Sequence, residues 1–451
     1  MSDAVQTQSA WDTASIRKLY DPATGHLDRR VHGDEALYQL ELERIFARSW
    51  NFMAHESQIP NPGDYFINYI GEDQVIVVRD DEGKVNVLLN TCRHRGNALC
   101  RAEQGNTRSF VCSYHGWNYG LDGSLIGVPG QKTYFHDKLD RSKLGLARAA
   151  QVDHYHGFYF ATFDPEAPSL HDFLGDVGRT GIGMMSSNGE LQVVPGIQKN
   201  VIDCNWKIAV DNLFDWYHVT CSHASADSAG LFKISDILHP KSQMIMLGEY
   251  GHGISGPGVS KEIQAQIDQM SDQERREKSS DQLRLRPKIA TQILGESGVR
   301  SLGHPNIFPN LWITLGGLQM CLRLPRGPHA TELWWFTMVP KMAPPEFRRE
   351  FVNRAIHIFG PGGLLEQDDG ENWSQSTRAS RGVASRKLGH TLQMGLGQDE
   401  MLEDRNGQRY IDTQISEHGQ RWHYKAWTEW MAAKDWPDLK ANHSPVPLGK
   451  I

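Results

Sequence analysis

Apolar residues change their spacing early in the chain. Asp34 is a candidate N-cap, and Leu37, Leu40, Ile45 and Phe46 then recur at helical intervals through DEALYQLELERIFARSW, which predicts a helix from Asp34 to Trp50. From Asp64 the period shortens. DYFINYI and QVIVVRD lead to the polar turn DEGK, and VNVLLN runs directly into Cys92. VCSYHGWNYG, the turn LDG and SLIGV read as a further hairpin. Together they predict a small all-β unit over residues 41–160.

Residues 195–223 read as helical. The polar stretch from Ser260 to Arg286 predicts an exposed helix or a lid, the solvated helix being the simpler reading. Strands return at LWITLGGLQMCLRL and ELWWFTMVP. A helix from Pro345 to Phe359 is interrupted by GPGG and resumes at Leu364, and RWHYKAWTEWMAAKDW reads as an aromatic helix packed into a core. No internal repeat, low-complexity tract or G-x-x-x-x-G-K phosphate loop is present. The pattern predicts an α+β chain. Its all-β unit at 41–160 is followed by a larger domain at 161–451, against which residues 1–40 pack.

A chain of 451 residues exceeds what one ordinary core holds. Lys and Arg number 47 against 54 Asp and Glu, a net charge of −7, which leaves no basic footprint for nucleic acid or an anionic membrane. No apolar run approaches the ~18 residues of a membrane span. MSDAVQTQSAWD lacks the order of a signal peptide, and six irregularly spaced cysteines make no disulfide framework. A cytoplasmic protein is expected.

Three of those cysteines fall between Cys92 and Trp117. The segment reads C-x-H, then seventeen residues, then C-x-x-H. Structural zinc is one reading of two thiolates and two imidazoles. Zinc fingers, however, pair like with like, whereas here each β-hairpin loop carries one Cys and one His. That mixture delivers two thiolates to one point and two imidazoles to another, as a Rieske [2Fe–2S] cluster requires. Arg95-Gly96 and Gly116-Trp117 complete a resemblance to the Rieske consensus, with Ser113 where proline is usual. Cys92, His94, Cys112 and His115 are the expected ligands, and Cys100 an ordinary thiol.

A cluster carries single electrons, and a second site must use them. Asp215, His218 and His223 form D-x-x-H-x-x-x-x-H. Residues three apart share a helix face, but five apart lie ~140° round it, so the helix must break before both imidazoles meet one metal. Two histidines and one carboxylate make the facial triad of non-haem iron oxygenases, with positions open for O2. LLEQDDGENW offers Asp368 and Asp369, of which only one can face the metal; spacing does not choose between them.

Along nearly its whole length the chain resembles the large (α) subunit of Rieske non-haem iron ring-hydroxylating oxygenases. HESQIPNPGD, NWK, D-x-Y-H-x-x-x-x-H, FPN, PRGP and EQDDGENW carry the likeness. The resemblance implies a catalytic domain of antiparallel sheet covered by helices (helix-grip), a [2Fe–2S] cluster and a mononuclear Fe(II) held by His218, His223 and Asp369. It makes Asp215 a bridge between an iron-binding His and a Rieske His of the neighbouring subunit, with His218 and His115 as those partners. It further implies a ferredoxin or NAD(P)H-dependent reductase, an aromatic substrate, O2, and a homotrimer with or without a small β subunit (α3 or α3β3).

Candidate pocket residues are Asn212, Leu213, Phe214, Trp216, His304, Asn306, Phe359 and Leu365, with Trp312 and Leu364 beside them. Arg323 stands where relatives often carry an aromatic residue and is either a carboxylate anchor or a structural ion-pair partner. The leading expectation is cis-dihydroxylation of an aromatic ring. EQDDGENW resembles the biphenyl branch. DNLFD, with two residues between Asn212 and Asp215 where many dioxygenases have three, resembles branches that hydroxylate or demethylate aromatic acids. An electron carrier without oxygenase activity is the remaining alternative.

Overall fold

The computed structural model describes residues 11–187, 189–239, 241–278, 286–314, 318–445 and 447–451. The chain forms two compact units, one of Phe46–His171 with Leu191–Val193, the other of the segments up to Ile45, Asp172–Glu190 and Val194–Ile451.

In the first unit, β1 (Asp64–Ile70), β2 (Asp73–Arg79) and β3 (Val85–Leu89) form an antiparallel sheet with Gln104–Asn106 on the outer edge of β1. Two three-stranded sheets complete it. Ile67, Ile76, Val78 and Leu88 supply one side of its core, and Cys92, Cys112, Trp117 and Tyr119 close the other. The two cysteines are thus fixed by burial from below.

The second unit is built on a long antiparallel sheet. Its strands are β4 (Gln198–Ile202), β5 (Gln243–Leu247), β6 (Gly253–Pro257), β7 (His304–Ile307), β8 (Leu311–Thr314), β9 (Gln319–Pro325) and β10 (Thr331–Pro340). The spatial order is β4-β10-β9-β8-β7-β6-β5, continuing through Arg409–Thr413, Glu400–Glu403 and Gly449–Lys450. Four helices matter for the site: α1 (Glu35–Glu41), α2 (Trp206–Asp211), α3 (Leu364–Arg381) and α4 (His418–Ala432). The arrangement is the α+β fold expected.

Helix α4 is buried at nearly every position from His418 to Ala432, as its aromatic sequence predicts. It, α1 and α2 meet at the buried carboxylate of Glu41. Glu41 accepts hydrogen bonds from the indoles of Trp206 and Trp427 at 2.8 Å each, and its Oε1 lies 2.5 Å from Lys207 Nζ. This explains the NWK motif: Asn205 caps α2, and Trp206 and Lys207 both bind Glu41.

Some elements differ from the sequence reading. Asp34 caps α1, but the α-helix ends at Glu41 and passes through a π-turn (Leu42–Phe46), so it does not reach Trp50. Residues 198–202, read as helix, are strand β4, whose five residues pair with β10 from Gln198↔Trp335 to Ile202↔Thr331. Pairing with an existing sheet edge overrides weak local preference. The polar stretch after Ser260 forms two short helices, Lys261–Gln269 and Asp272–Lys278; residues 279–285 of that stretch lie outside the described residues, as do 315–317 of the predicted LWITLGGLQMCLRL strand. No helix among the described residues is long and apolar enough to cross a membrane.

Candidate metal centres

The two loops that carry the mixed Cys-His pairs are built alike. Gly96 N–H donates to the carbonyl of Cys92, and Gly116 N–H to that of Cys112, each at 2.9 Å. Both turns need a left-handed residue at that point; Gly96 has φ 74° and Gly116 φ 72°. The turns bring His94 Nδ1 to 3.2 Å from His115 Nδ1. Trp117 stacks on His94 at 4.9 Å between centroids, holding its ring from one side.

Cys92 and Cys112 are buried, and the two imidazoles are half-buried beside exposed Arg93, Arg95 and Tyr114. Tyr119 places its hydroxyl 3.3 Å from Cys92 Sγ. Burial raises the Cys112 thiol, but N–H donors from Tyr114 and His115, with Cys92 and Asn97, overcome it and lower the pKa. Cys100 receives no such help, and burial pushes it up to about 12. The donor set fits a [2Fe–2S] cluster: buried sulfurs below, paired Nδ1 atoms above, and a thiolate-favouring field at Cys112.

In the larger unit, α2 ends at Asp211, a 3₁₀ turn covers Asn212–Phe214, and Asp215 is extended. Asp215 Oδ1 accepts from the N–H groups of Tyr217 (2.7 Å) and His218 (3.2 Å), and its Oδ2 lies 3.5 Å from His218 Nδ1. Burial raises this carboxyl, yet the contacts with His218 outweigh it and hold the pKa low.

The single turn Val219–Ser222 ends at His223, whose backbone (φ −99°, ψ 17°) is not helical, and a new helix starts at Ala224. The break required by the five-residue spacing is there. It brings the two imidazole Nε2 atoms to 3.2 Å.

Helix α3 supplies the third donor. Its buried stripe, Leu365, Glu366, Asp369, Gly370 and Trp373, follows helical spacing. Asp369 Oδ1 lies 3.3 Å from His218 Nε2 and 3.5 Å from His223 Nε2, and has no hydrogen-bond partner. Asp368 faces elsewhere: its Oδ2 accepts from Ser225 Oγ (2.6 Å) and lies 3.6 Å from His223 Nδ1.

Three donors at about 2.0–2.2 Å from one cation, at angles near 90–110°, are themselves about 3.0–3.5 Å apart. His218, His223 and Asp369 meet that spacing and form the group able to hold a metal found among the described residues. Burial opposes a charge on His218, but the adjacent carboxylates of Asp215 and Asp369 outweigh it and raise its pKa to about 10.

The chain matches the family model of the ring-hydroxylating alpha subunit catalytic domain over residues 179–433 and that of the Rieske [2Fe–2S] domain over 49–148. It is 38% identical to the biphenyl 2,3-dioxygenase alpha subunit of Rhodococcus jostii (strain RHA1), covering 97% of this chain and 95% of that one. This chain belongs to the ring-hydroxylating dioxygenase alpha subunits. Benzene 1,2-dioxygenase subunit alpha of Pseudomonas putida is 36% identical, over 97% of this chain and 98% of the other. A solved naphthalene 1,2-dioxygenase with indole bound superposes with a TM-score of 0.82 at 30% identity, over 94% and 96% of the two chains. As a family member this alpha subunit is an oxygenase, an oxidoreductase of the aromatic-ring dioxygenase type with a Rieske cluster and a mononuclear non-haem iron. Of the two branch signals, EQDDGENW was therefore the better guide than DNLFD.

The candidate pocket residues of this alpha subunit separate into groups. Trp216, His304, Trp312 and Phe359 form a continuous ring-to-ring contact series at 4.9–5.3 Å, and Trp335 stacks on Phe359 at 4.7 Å. Asn306 and Leu365 are buried, Asn306 on β7 and Leu365 on α3. Leu213 is buried, and Asn212 opens the 3₁₀ turn before Asp215. Phe214 is seated between β6 and α4, against Gly253 and Gly419, where a Cβ would meet its ring at 2.9 and 2.8 Å.

Sequence reasoning missed Ser225 and Asp211. Asp211 sits four residues before Asp215 and accepts from Tyr424 Oη at 3.0 Å; burial, with the nearby charge of Asp215, pushes its carboxyl up to about 8. Its only signal was an acid at the last position of a helix whose one other charged residue is Lys207.

Proposed function

We propose that His218, His223 and Asp369 hold the mononuclear iron, that Cys92, His94, Cys112 and His115 hold the [2Fe–2S] cluster, and that the chain cis-dihydroxylates an aromatic substrate. The observation that carries this reading is the convergence of three donor atoms, from two chain segments, at 3.2–3.5 Å from one another. When bound, the cluster supplies single electrons and the iron supplies O2 activation.

The chain's own residues do the rest. Asp215 lies against His218 Nδ1, which fixes the ring and leaves Nε2 free to face the metal position. Asp368 does the same for His223. The aromatic series from Trp216 to Phe359 supplies flat ring faces suited to stacking on an aromatic substrate.

The overall change adds O2, two electrons and two protons to the ring. A ferredoxin and an NAD(P)H-dependent reductase supply the electrons. In a cytoplasmic homotrimer, alone or as α3β3, Asp215 links His218 to the cluster imidazole of a neighbouring copy. Relatives named for biphenyl, benzene and naphthalene support a substrate of one or two fused or joined rings.

Metal analysis tests the assignment. Iron-replete protein is expected to hold three irons and two acid-labile sulfides per chain, two of the irons in the cluster. Asp369→Ala is expected to hold two irons with the sulfide unchanged. Three irons in that variant would overturn the third ligand.

A further inference from the structure

One face of the catalytic sheet carries more unpaired polarity than a hydrocarbon pocket needs. Antiparallel pairing sets Asn306 opposite Trp312, Trp312 opposite Cys321, and Cys321 opposite Trp335. Directly paired residues share a face, as do residues two apart along a strand. Asn306, Trp312, Gln319, Arg323 and Trp335 therefore project the same way. Phe359 packs on both Trp312 and Trp335, which turns this face toward the start of α3.

Arg323 is 1% exposed. Its guanidinium lies over the Trp312 ring at 4.5 Å, and neither Nε nor Nη1 has a hydrogen-bond partner. Its backbone is held on both sides by Asn310, so the side chain's direction is set by the strand. Among the described residues no carboxylate reaches ion-pairing distance of it. Both amide atoms of Asn306 and of Gln319 are also buried without partners.

On α3, one turn before Asp369, Glu366 is fully buried, with the polar groups of Trp335 and Asn200 near its carboxyl. Arg323 is within electrostatic reach of both Glu366 and Asp369. Burial pushes the Glu366 carboxyl up to about 7 against the pull of Arg323, and no hydrogen bond joins the two side chains.

A permanently charged guanidinium, buried with two open donors, needs acceptor oxygens. Its planar fork matches two oxygens of one carboxylate, and the neighbouring amides offer further N–H donors. We propose that Arg323 selects aromatic substrates bearing a carboxylate and grips that group while the ring lies against Trp312 and Phe359. The inference rests on the iron site assigned above, since it places the carboxylate on the sheet side of that site.

The test is calorimetric titration of the iron-replete protein with matched pairs: an arene carboxylate and the same arene carrying methyl in its place. Wild type is expected to bind the acid at least about 10-fold more tightly than its neutral twin. Arg323→Met is expected to abolish or reverse that preference, and Arg323→Lys to lose most of it, because a point charge cannot make the fork.

Equal or tighter binding of the neutral twin by wild type would overturn the proposal, whether or not the variants fold. So would an acid preference that Arg323→Met leaves unchanged within about 3-fold; Arg323 would then serve only as internal counter-charge to Glu366 and Asp369. The two readings fail differently. Wild-type protein with its third iron that hydroxylates neutral arenes but does not prefer acids sinks only this inference, whereas protein that never takes up a third iron sinks the site itself.

Discussion

A single carboxylate at Asp215 caps the turn that carries His218 and braces the His218 ring from behind. It touches the ligand rather than the metal position, so its loss and the loss of a ligand have different signatures. Asp215→Ala is expected to retain all three irons and to lose turnover by about 10–100-fold or more, the usual effect of removing a group that orients a metal ligand. Full activity would refute its bridging role. Asp368→Ala, which removes the contacts with Ser225 and His223 Nδ1, is expected to weaken mononuclear iron retention by about 10–100-fold without abolishing it, as read by competition with a chelator. Spacing does not choose between Asp368 and Asp369, because neighbouring helical residues differ only in direction; the family resemblance pointed to Asp369. Burial favours the same residue. Asp369 lies on the stripe shared with Glu366 and Gly370, and a Cβ on Gly370 would meet Ile202 of β4 at 2.9 Å.

Elements were legible where local chemistry and tertiary context agree. The Cys-His loops announce themselves because glycine, thiolate and imidazole must each stand at a fixed place in a tight turn. The aromatic helix α4 is equally plain. Strand β4 was not, since its pairing with β10 is a long-range contact invisible in a short window. Two predictions belong at this scale. Lys207→Met leaves Glu41 buried among α1, α2 and α4 with its cationic partner gone, which is expected to destabilise the catalytic unit by about 3–5 kcal/mol in chemical denaturation. The second concerns the clamp at the end of α4. His443 Nδ1 and Nε2 lie 2.9 Å from Glu429 and Glu249. Burial disfavours its charge, but the two carboxylates outweigh this and raise its pKa. A raised folded-state pKa contributes stability that is complete below the unfolded value of about 6.5 and is lost as pH climbs through the folded one. The melting temperature is therefore expected to fall as pH rises above about 6.5, and to fall less in His443→Gln. Equal slopes would remove His443 from the account.

At the scale of the whole molecule, two units with different donor sets are joined in one chain, soft sulfur with imidazole in one and imidazole with carboxylate in the other. That division was readable from residue types together with their order: one Cys and one His on each loop fit a one-electron cluster, and two histidines with a carboxylate fit an O2-activating iron. Arg323 reads as a carboxylate anchor or an ion-pair partner, and residue types alone do not choose, because its surroundings depend on which strand residues project together. The central claim is dihydroxylation, and a single turnover in ¹⁸O2 tests it most directly. Chemically reduced, iron-replete protein would meet a panel of neutral arenes, aromatic acids and methoxy-arenes, with products read by mass spectrometry. The account predicts a product that gains two hydrogens and two labelled oxygens. A product with one labelled oxygen, or one that has lost a methyl group, would contradict it.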